Sequence, residues 1–257
     1  MNPLTGKVSL ITGSSRGIGR AIAMRLARDG SDIVINFRRN AGPSLKQAEE
    51  LRDDIEQEGR KTLLVQADIS QKDSVQSLFG DIKKHFGRLD FLILNAARAP
   101  FKPIEKLFER ELKQLVETNY LGNIFCIQEG LPLLKESRGS IVFVSSLGSR
   151  FYNPAYPLGS MKAAMESVVR DCSESLRDDG ISVNAVCGGI VKTDSFKVLR
   201  QYWENIDMLP EDLFVEPAEI ADTVSFLCSP ESRGIHGQSI VVDRGLSNAL
   251  YRPMSKK

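Results

Sequence analysis

The 257-residue chain is poor in the residues that many catalytic and binding chemistries require. With only two histidines, His85 and His236, a zinc site built from several imidazoles is excluded and a serine-histidine-acid triad is disfavoured. The four cysteines, Cys126, Cys172, Cys187 and Cys228, stand far apart with no C-x-x-C pair, a pattern of reduced packing thiols rather than a disulfide framework or metal clamp. A surplus of one charge sign is also missing. The 34 Lys+Arg and 33 Asp+Glu leave a net charge of +1, so no global field attracts nucleic acid or an anionic membrane. The longest apolar runs, such as 91–94 and 141–144, fall far short of the roughly 18 residues a membrane helix needs. No signal-peptide pattern opens the chain, and a cytoplasmic location is expected.

What remains is a regular alternation. Short apolar runs at 8–11, 33–36, 62–67, 91–94, 141–144, 182–186 and 239–242 are separated by helical stretches. Strands that are apolar on both faces suit a parallel sheet covered by helices on either side. Ile18, Ile22 and Leu26 recur at helical spacing, as do Met161, Met165, Val168, Val169, Cys172 and Leu176. With no Ser/Gly/Pro-rich linker, repeat or low-complexity block, the sequence predicts an α/β class protein. Its expected form is a single doubly wound, Rossmann-type domain over 1–257 with a seven-stranded parallel sheet. Residues 193–217 break the rhythm with Phe196, Leu199, Tyr202, Trp203, Met208, Leu209 and Phe214 among charges, bounded by Pro217. This insertion is either a substrate lid or a helical pair packed permanently on the body.

The first strand runs through Thr12-Gly13-Ser14-Ser15-Arg16-Gly17-Ile18-Gly19 into a helix. Glycines at that junction let the backbone approach a pyrophosphate, and the free amides of the helix start favour the anion. TGSSRGIG resembles the TGxxxGxG signature of the short-chain dehydrogenases/reductases, and the resemblance covers nearly the whole chain. It implies that Gly13, Ser15, Arg16, Gly17, Ile18 and Gly19 hold the dinucleotide, that Asp68 and Ile69 contact adenine, and that Asn95 and Ala96 form the turn after the fourth strand. It further assigns Gly188, Ile190 and Thr193 to the turn after the sixth, and Asn119 to a proton-relay water. The chain departs from the family at Leu94, Ala97 and Cys187, the last standing where proline is usual.

At the end of the second strand an NAD site wants an acid for the ribose 2′-hydroxyl, whereas an NADP site wants cations for the 2′-phosphate. Phe37-Arg38-Arg39 occupies that place, with Arg16 as a second cation. Guanidinium pairs with phosphate through parallel hydrogen bonds, so NADP(H) is the expected cofactor.

The family's chemistry uses a tyrosine, a lysine and a serine, for which Tyr156, Lys162 and either Ser145 or Ser146 are candidates. In a Tyr-x-x-x-Lys helix the two side chains stand about 40° apart. Here Leu158 lies four residues before Lys162 and Tyr156 lies six before it. Pro157 disfavours helical geometry in the residue before it, which places Tyr156 ahead of the helix and frees its direction. The wider spacing resembles the Tyr-x6-Lys of the NADPH-dependent enoyl-[acyl-carrier-protein] reductase III branch, although it is one residue short. Tyr152 competes for the same role.

The resemblance implies hydride transfer to an enoyl thioester, with a 3-oxoacyl-thioester ketoreductase as the alternative and a nucleotide-binding protein without turnover as a third reading. It also implies a homotetramer through helices holding 111–131 and 158–176, with 240–250 in a second interface. The substrate is a small-molecule acyl thioester or one carried on acyl carrier protein, for which Arg98, Lys102, Arg150, Lys192 and Lys197 are candidate attractors. Neither metal, nucleic acid nor membrane is expected as a partner.

Overall fold

A computed structural model describes residues 2–151, 153, 155–203 and 206–251, with the backbone alone considered at 207 and 249–251. Seven strands form one sheet: β1 (Val8–Ile11), β2 (Asp32–Phe37), β3 (Thr62–Gln66), β4 (Phe91–Leu94), β5 (Ser140–Ser146), β6 (Ser182–Gly188) and β7 (Ser239–Val242). Their order is β3-β2-β1-β4-β5-β6-β7, and every pairing is parallel. β1 therefore lies between β2 and β4, the point where the winding reverses. In open parallel sheets a ligand crevice forms there, beyond the carboxyl ends of the strands.

Helices cover both faces. On one side lie α1 (Gly17–Arg28), α2 (Pro43–Gln57) and, following α7 (Asp194–Leu199) in the chain, α8 (Pro217–Cys228). Ile22, Leu26, Leu51, Ile55, Ile220 and Val224 meet Ile11, Ile33, Ile35 and Val142 in this core. On the other side are α3 (Lys72–Phe86), α5 (Gly122–Ser137) and α6 (Leu158–Ser175), where Leu78, Ile82, Cys126, Leu134, Met165 and Val169 meet Leu10, Leu92 and Phe143. The predicted stripe of α6 is its buried face: Met165, Val169 and Leu176 are enclosed, and Val168 and Cys172 pack at its margin. Burying each such side chain fully contributes roughly 1.5–3 kcal/mol.

α4 (Glu109–Val116) passes through a wide turn at Glu117–Leu121 into α5. Three cysteine thiols are buried and Cys172 is half-buried; all four are free. Among the described residues no helix is long and apolar enough to cross a membrane, and no cluster of His, Cys, Asp and Glu could hold a metal ion.

The 193–217 segment consists of α7, three single 3-10 turns and the start of α8. A parallel bridge of Val191 to Val215 ties its two ends together. Ile190, Ile206 and Phe214 form a small core of their own with Phe196, Trp203 and Leu209 packed against it.

Candidate active site

A cleft of about 730 Å³ opens above the carboxyl ends of the strands, bounded by Arg38 and Arg39 at one end and Tyr156, Phe196 and Trp203 at the other. At its floor the Thr12 hydroxyl accepts the backbone amides of Asn95 and Ala96, both at 3.0 Å, stitching the end of β1 to the end of β4. The Asn95 amide donates back to the carbonyls of Thr12 at 2.9 Å and Gly13 at 3.1 Å. Asn36, buried at the end of β2, accepts the Gly13 amide at 3.1 Å and donates to the Ala67 carbonyl at 3.1 Å. The glycine turn is thus held from both flanking strands.

Gly13 has φ +64°, a conformation that side chains other than glycine rarely adopt. A Cβ on Gly19 would lie 2.5 Å from both Asn95 Nδ2 and the Gly13 carbonyl. The side chain of Arg16 does not cap α1, so the first amides of the helix have no capping side chain, and Gly17, Ile18 and Gly19 line the cleft. An uncapped helix start beside a side-chain-free turn fits a pyrophosphate.

All the cofactor residues named from the motifs line this cleft: Gly13, Ser15, Arg16, Gly17, Ile18, Gly19, Arg38, Asp68, Ile69, Asn95, Ala96, Lys162, Gly188, Ile190 and Thr193. Asp68 is held by its own turn, its carboxylate accepting the Ser70 amide at 3.0 Å and hydroxyl at 2.7 Å. The Arg38 carbonyl accepts from Gln66 at 2.8 Å, which fixes its backbone while the guanidinium stays exposed at the rim.

At the far end, α6 begins at Leu158, leaving Tyr156 outside the helix as the proline predicts. Leu158, Lys162 and Glu166 follow one another at intervals of four residues, and all three are buried. The Lys162 ammonium donates to the Val144 carbonyl at 2.6 Å and lies 4.7 Å from the centroid of the Phe143 ring. Burial pushes its pKa down to about 8, with Cys187 and Glu166 working the other way. Tyr156 is half-buried and packs against Gly148, its ring 6.4 Å from that of Phe101 in a stacked arrangement. Burial raises the phenol above its ordinary range, and a hydrogen bond with Ser146 works the other way. The phenol is therefore neutral at pH 7, in its proton-donating form.

The two serines point to different partners. Ser146 accepts the Gly148 amide at 3.3 Å, beside the Tyr156 ring, whereas the buried Ser145 donates to Glu166 at 2.5 Å. Asn119 sits in the wide turn between α4 and α5: its amide oxygen accepts the Arg98 amide at 2.9 Å and its nitrogen donates to the Arg98 and Leu115 carbonyls, both at 2.8 Å. It buttresses the loop after β4 and does not line the cleft. Tyr152 lies outside the described residues. Of the cations expected to attract a carrier, Lys102 pairs with Glu111, Arg150 with Glu166, Lys192 with Glu211 and Glu216, and Lys197 with Asp194. These pairs neutralise most of that patch; among the described residues Arg98 has no carboxylate partner.

Motif reading overlooked Asn36, Phe101 and Glu166. Asn36 and Glu166 did carry a signal, each being a polar residue inside an apolar strand or stripe. Phe101, on an irregular loop, carried none.

The fold and this site together define a dinucleotide-dependent oxidoreductase. Residues 13–247 match the family model described as Enoyl-(Acyl carrier protein) reductase, and the chain belongs to the short-chain dehydrogenase/reductase family. It is 38% identical to the 1-cyclohexenylcarbonyl-CoA reductase of Streptomyces collinus, over 94% of this chain and 87% of that one. It is 31% identical to a 3-oxoacyl-[acyl-carrier-protein] reductase of Staphylococcus epidermidis, over 93% and 98% respectively. A solved chain from Sinorhizobium meliloti 1021 assigned to the short-chain alcohol dehydrogenases superposes with a TM-score of 0.86 at 27% identity, covering 95% of this chain and 98% of the other.

Proposed function

We propose that this chain is an NADPH-dependent reductase of α,β-unsaturated acyl thioesters. The observation that carries the reading is the placement of Tyr156: it stands ahead of α6, beside Ser146, while the helical position four residues before Lys162 is filled by the buried Leu158. The similarity to a reductase whose named substrate is a conjugated cyclic thioester supports it.

NADPH, when bound, supplies the hydride. The amides at Gly17–Gly19 would hold the pyrophosphate, Arg38 and Arg16 would pair with the 2′-phosphate, and Asp68 and Ile69 would border the adenine. Asn95, Ala96, Gly188, Ile190 and Thr193 would hold the nicotinamide half, with the Lys162 ammonium serving its ribose. As the β-carbon of the substrate is reduced, charge develops on the thioester oxygen, where the neutral Tyr156 hydroxyl donates a hydrogen bond. The apolar face of the 193–217 segment covers the acyl group and excludes water. The chain works as a homotetramer in the cytoplasm.

Similarity to a 3-oxoacyl reductase favours a second reading, in which the same tyrosine hands its proton to an alkoxide. A crotonyl thioester and an acetoacetyl thioester, each assayed by loss of NADPH absorbance, separate the two. Oxidation of NADPH with the enoyl substrate is expected. Action on the keto substrate alone moves the chain to the ketoreductases, and no oxidation with either leaves a nucleotide-binding protein. Tyr156→Phe should lower turnover about 10²–10⁴-fold while leaving NADPH binding nearly intact.

A further inference from the structure

Glu166 lies on the sheet-facing side of α6, only 8% exposed, in a stripe otherwise made of Met165, Val169 and their apolar neighbours. A buried carboxylate is costly unless its lone pairs are occupied. Here they are occupied by three donors from the end of β5 and the turn that follows it. Oε1 accepts the Ser145 hydroxyl at 2.5 Å and the Ser149 hydroxyl at 2.7 Å, and Oε2 faces the Arg150 guanidinium at 3.5 Å. Arginine is a donor only and the two hydroxyls converge on one oxygen, so all three neighbours are placed to donate to the carboxyl group.

This arrangement has two consequences for the residues beside the cleft. The Ser145 proton is committed to Glu166, leaving that hydroxyl only lone pairs to offer a substrate oxygen. Ser146, by contrast, accepts the amide of Gly148 at 3.3 Å, the glycine against which the Tyr156 ring packs. In addition, Glu166 follows Lys162 by one helical turn on the same buried face, so its negative charge acts on the ammonium through protein rather than water.

We propose that Glu166 is a positioning residue of this site, drawing Ser145 away from the substrate oxygen so that the Ser146–Tyr156 pair serves it, and supporting the charged form of Lys162. The titratable groups that act on Lys162 are Glu166 on its own helix and Cys187 from β6; Cys187 is in turn flanked by Arg150 after β5, Asp243 after β7 and Tyr156 ahead of α6. Cys187, with its thiol pushed up to about 11, is neutral, which leaves Glu166, one helical turn away, as the carboxyl group acting on the lysine.

The serine assignment rests on the enoyl-reductase reading, whereas the lysine effect does not, and the experiment separates them. Resonances of the Lys162 side chain are followed by NMR against pH in the cofactor-free protein, comparing wild type, Glu166→Gln and Glu166→Asp. Loss of the carboxylate should move the lysine midpoint down by about one pH unit, a tenfold change in proton affinity, and Glu166→Asp should restore part of it. An unchanged midpoint in folded Glu166→Gln overturns the electrostatic part. In the enoyl thioester assay Ser146→Ala should cost at least about tenfold more turnover than Ser145→Ala, the scale of one charge-stabilising hydrogen bond. Equal losses, or a larger loss for Ser145→Ala, overturn the positioning part. Should wild type reduce no enoyl thioester, the functional reading falls while the titration still decides the role of Glu166 toward Lys162.

Discussion

The Tyr156 ring lies so close to Gly148 that a Cβ on that glycine would come within 2.7 Å of both Cδ1 and Cε1. The candidate acid is thus seated against bare backbone, and Gly148→Ala would push the ring from its seat. No residue at the nucleotide end is touched. NADPH affinity measured by fluorescence should stay near the wild-type value while turnover falls, on the order of 10²-fold for a displacement of about 1 Å. Full turnover in that variant would mean that the seat does not set the phenol's position.

Cofactor choice is tested at the opposite end of the cleft. Arg38 is exposed at the rim, its backbone anchored by Gln66, and the neighbouring Phe37 is buried where an NAD site would carry an acid. Arg38→Asp removes a phosphate donor and supplies an acceptor for a ribose hydroxyl. NADPH binding should weaken by about 1.5–3 kcal/mol, the range for hydrogen bonds to charged groups, and NADH should gain relative to it. Titration of both nucleotides by fluorescence checks this, and tighter wild-type binding of NADH would overturn the assignment.

The depressed Lys162 pKa ties both binding and stability to pH. Its ammonium is lost as the pH rises through about 8, so NADPH affinity should decline through that point in wild type and show no such step in Lys162→Met. Stability runs the opposite way. Between about 8 and the ordinary lysine value of 10.5 the unfolded chain holds a proton that the folded chain has released, so this residue's contribution to stability rises with pH across that window. Denaturant unfolding of wild type and Lys162→Met at several pH values isolates the contribution.

Phe108, Leu112 and Val116 repeat every fourth residue along the start and length of α4, and all three are exposed, with Leu121 continuing the patch. In a tetramer assembled through the predicted helices this stripe becomes buried surface. Sedimentation at micromolar concentration should give a tetramer for wild type and smaller species for Leu112→Glu combined with Val116→Glu. A wild-type monomer would exclude the assembly.

Strands and winding are legible in the sequence, because residues enclosed on both faces must be largely apolar. The runs at 8–11, 91–94 and 239–242 coincide with β1, β4 and β7, and the other four strands extend the predicted runs or differ by a residue or two at their ends. The glycine turn was equally legible, since a close approach of backbone to anion requires those residues in that order. Pro157 likewise set the start of α6 and left Tyr156 outside it, a local steric effect that needs no tertiary partner. What the chain could not reveal is the direction of each side chain where distant segments meet. Ser145 finds its partner in Glu166, 21 residues further along and brought to it only when α6 packs on β5. Asn119 turns to the Arg98 backbone, and the lysines near the mouth find carboxylates on neighbouring segments, through contacts among groups set apart in the chain. Hydrogen bonds and ion pairs of this kind are short-ranged and directional, so their partners are chosen by packing, and only the tertiary structure decides them.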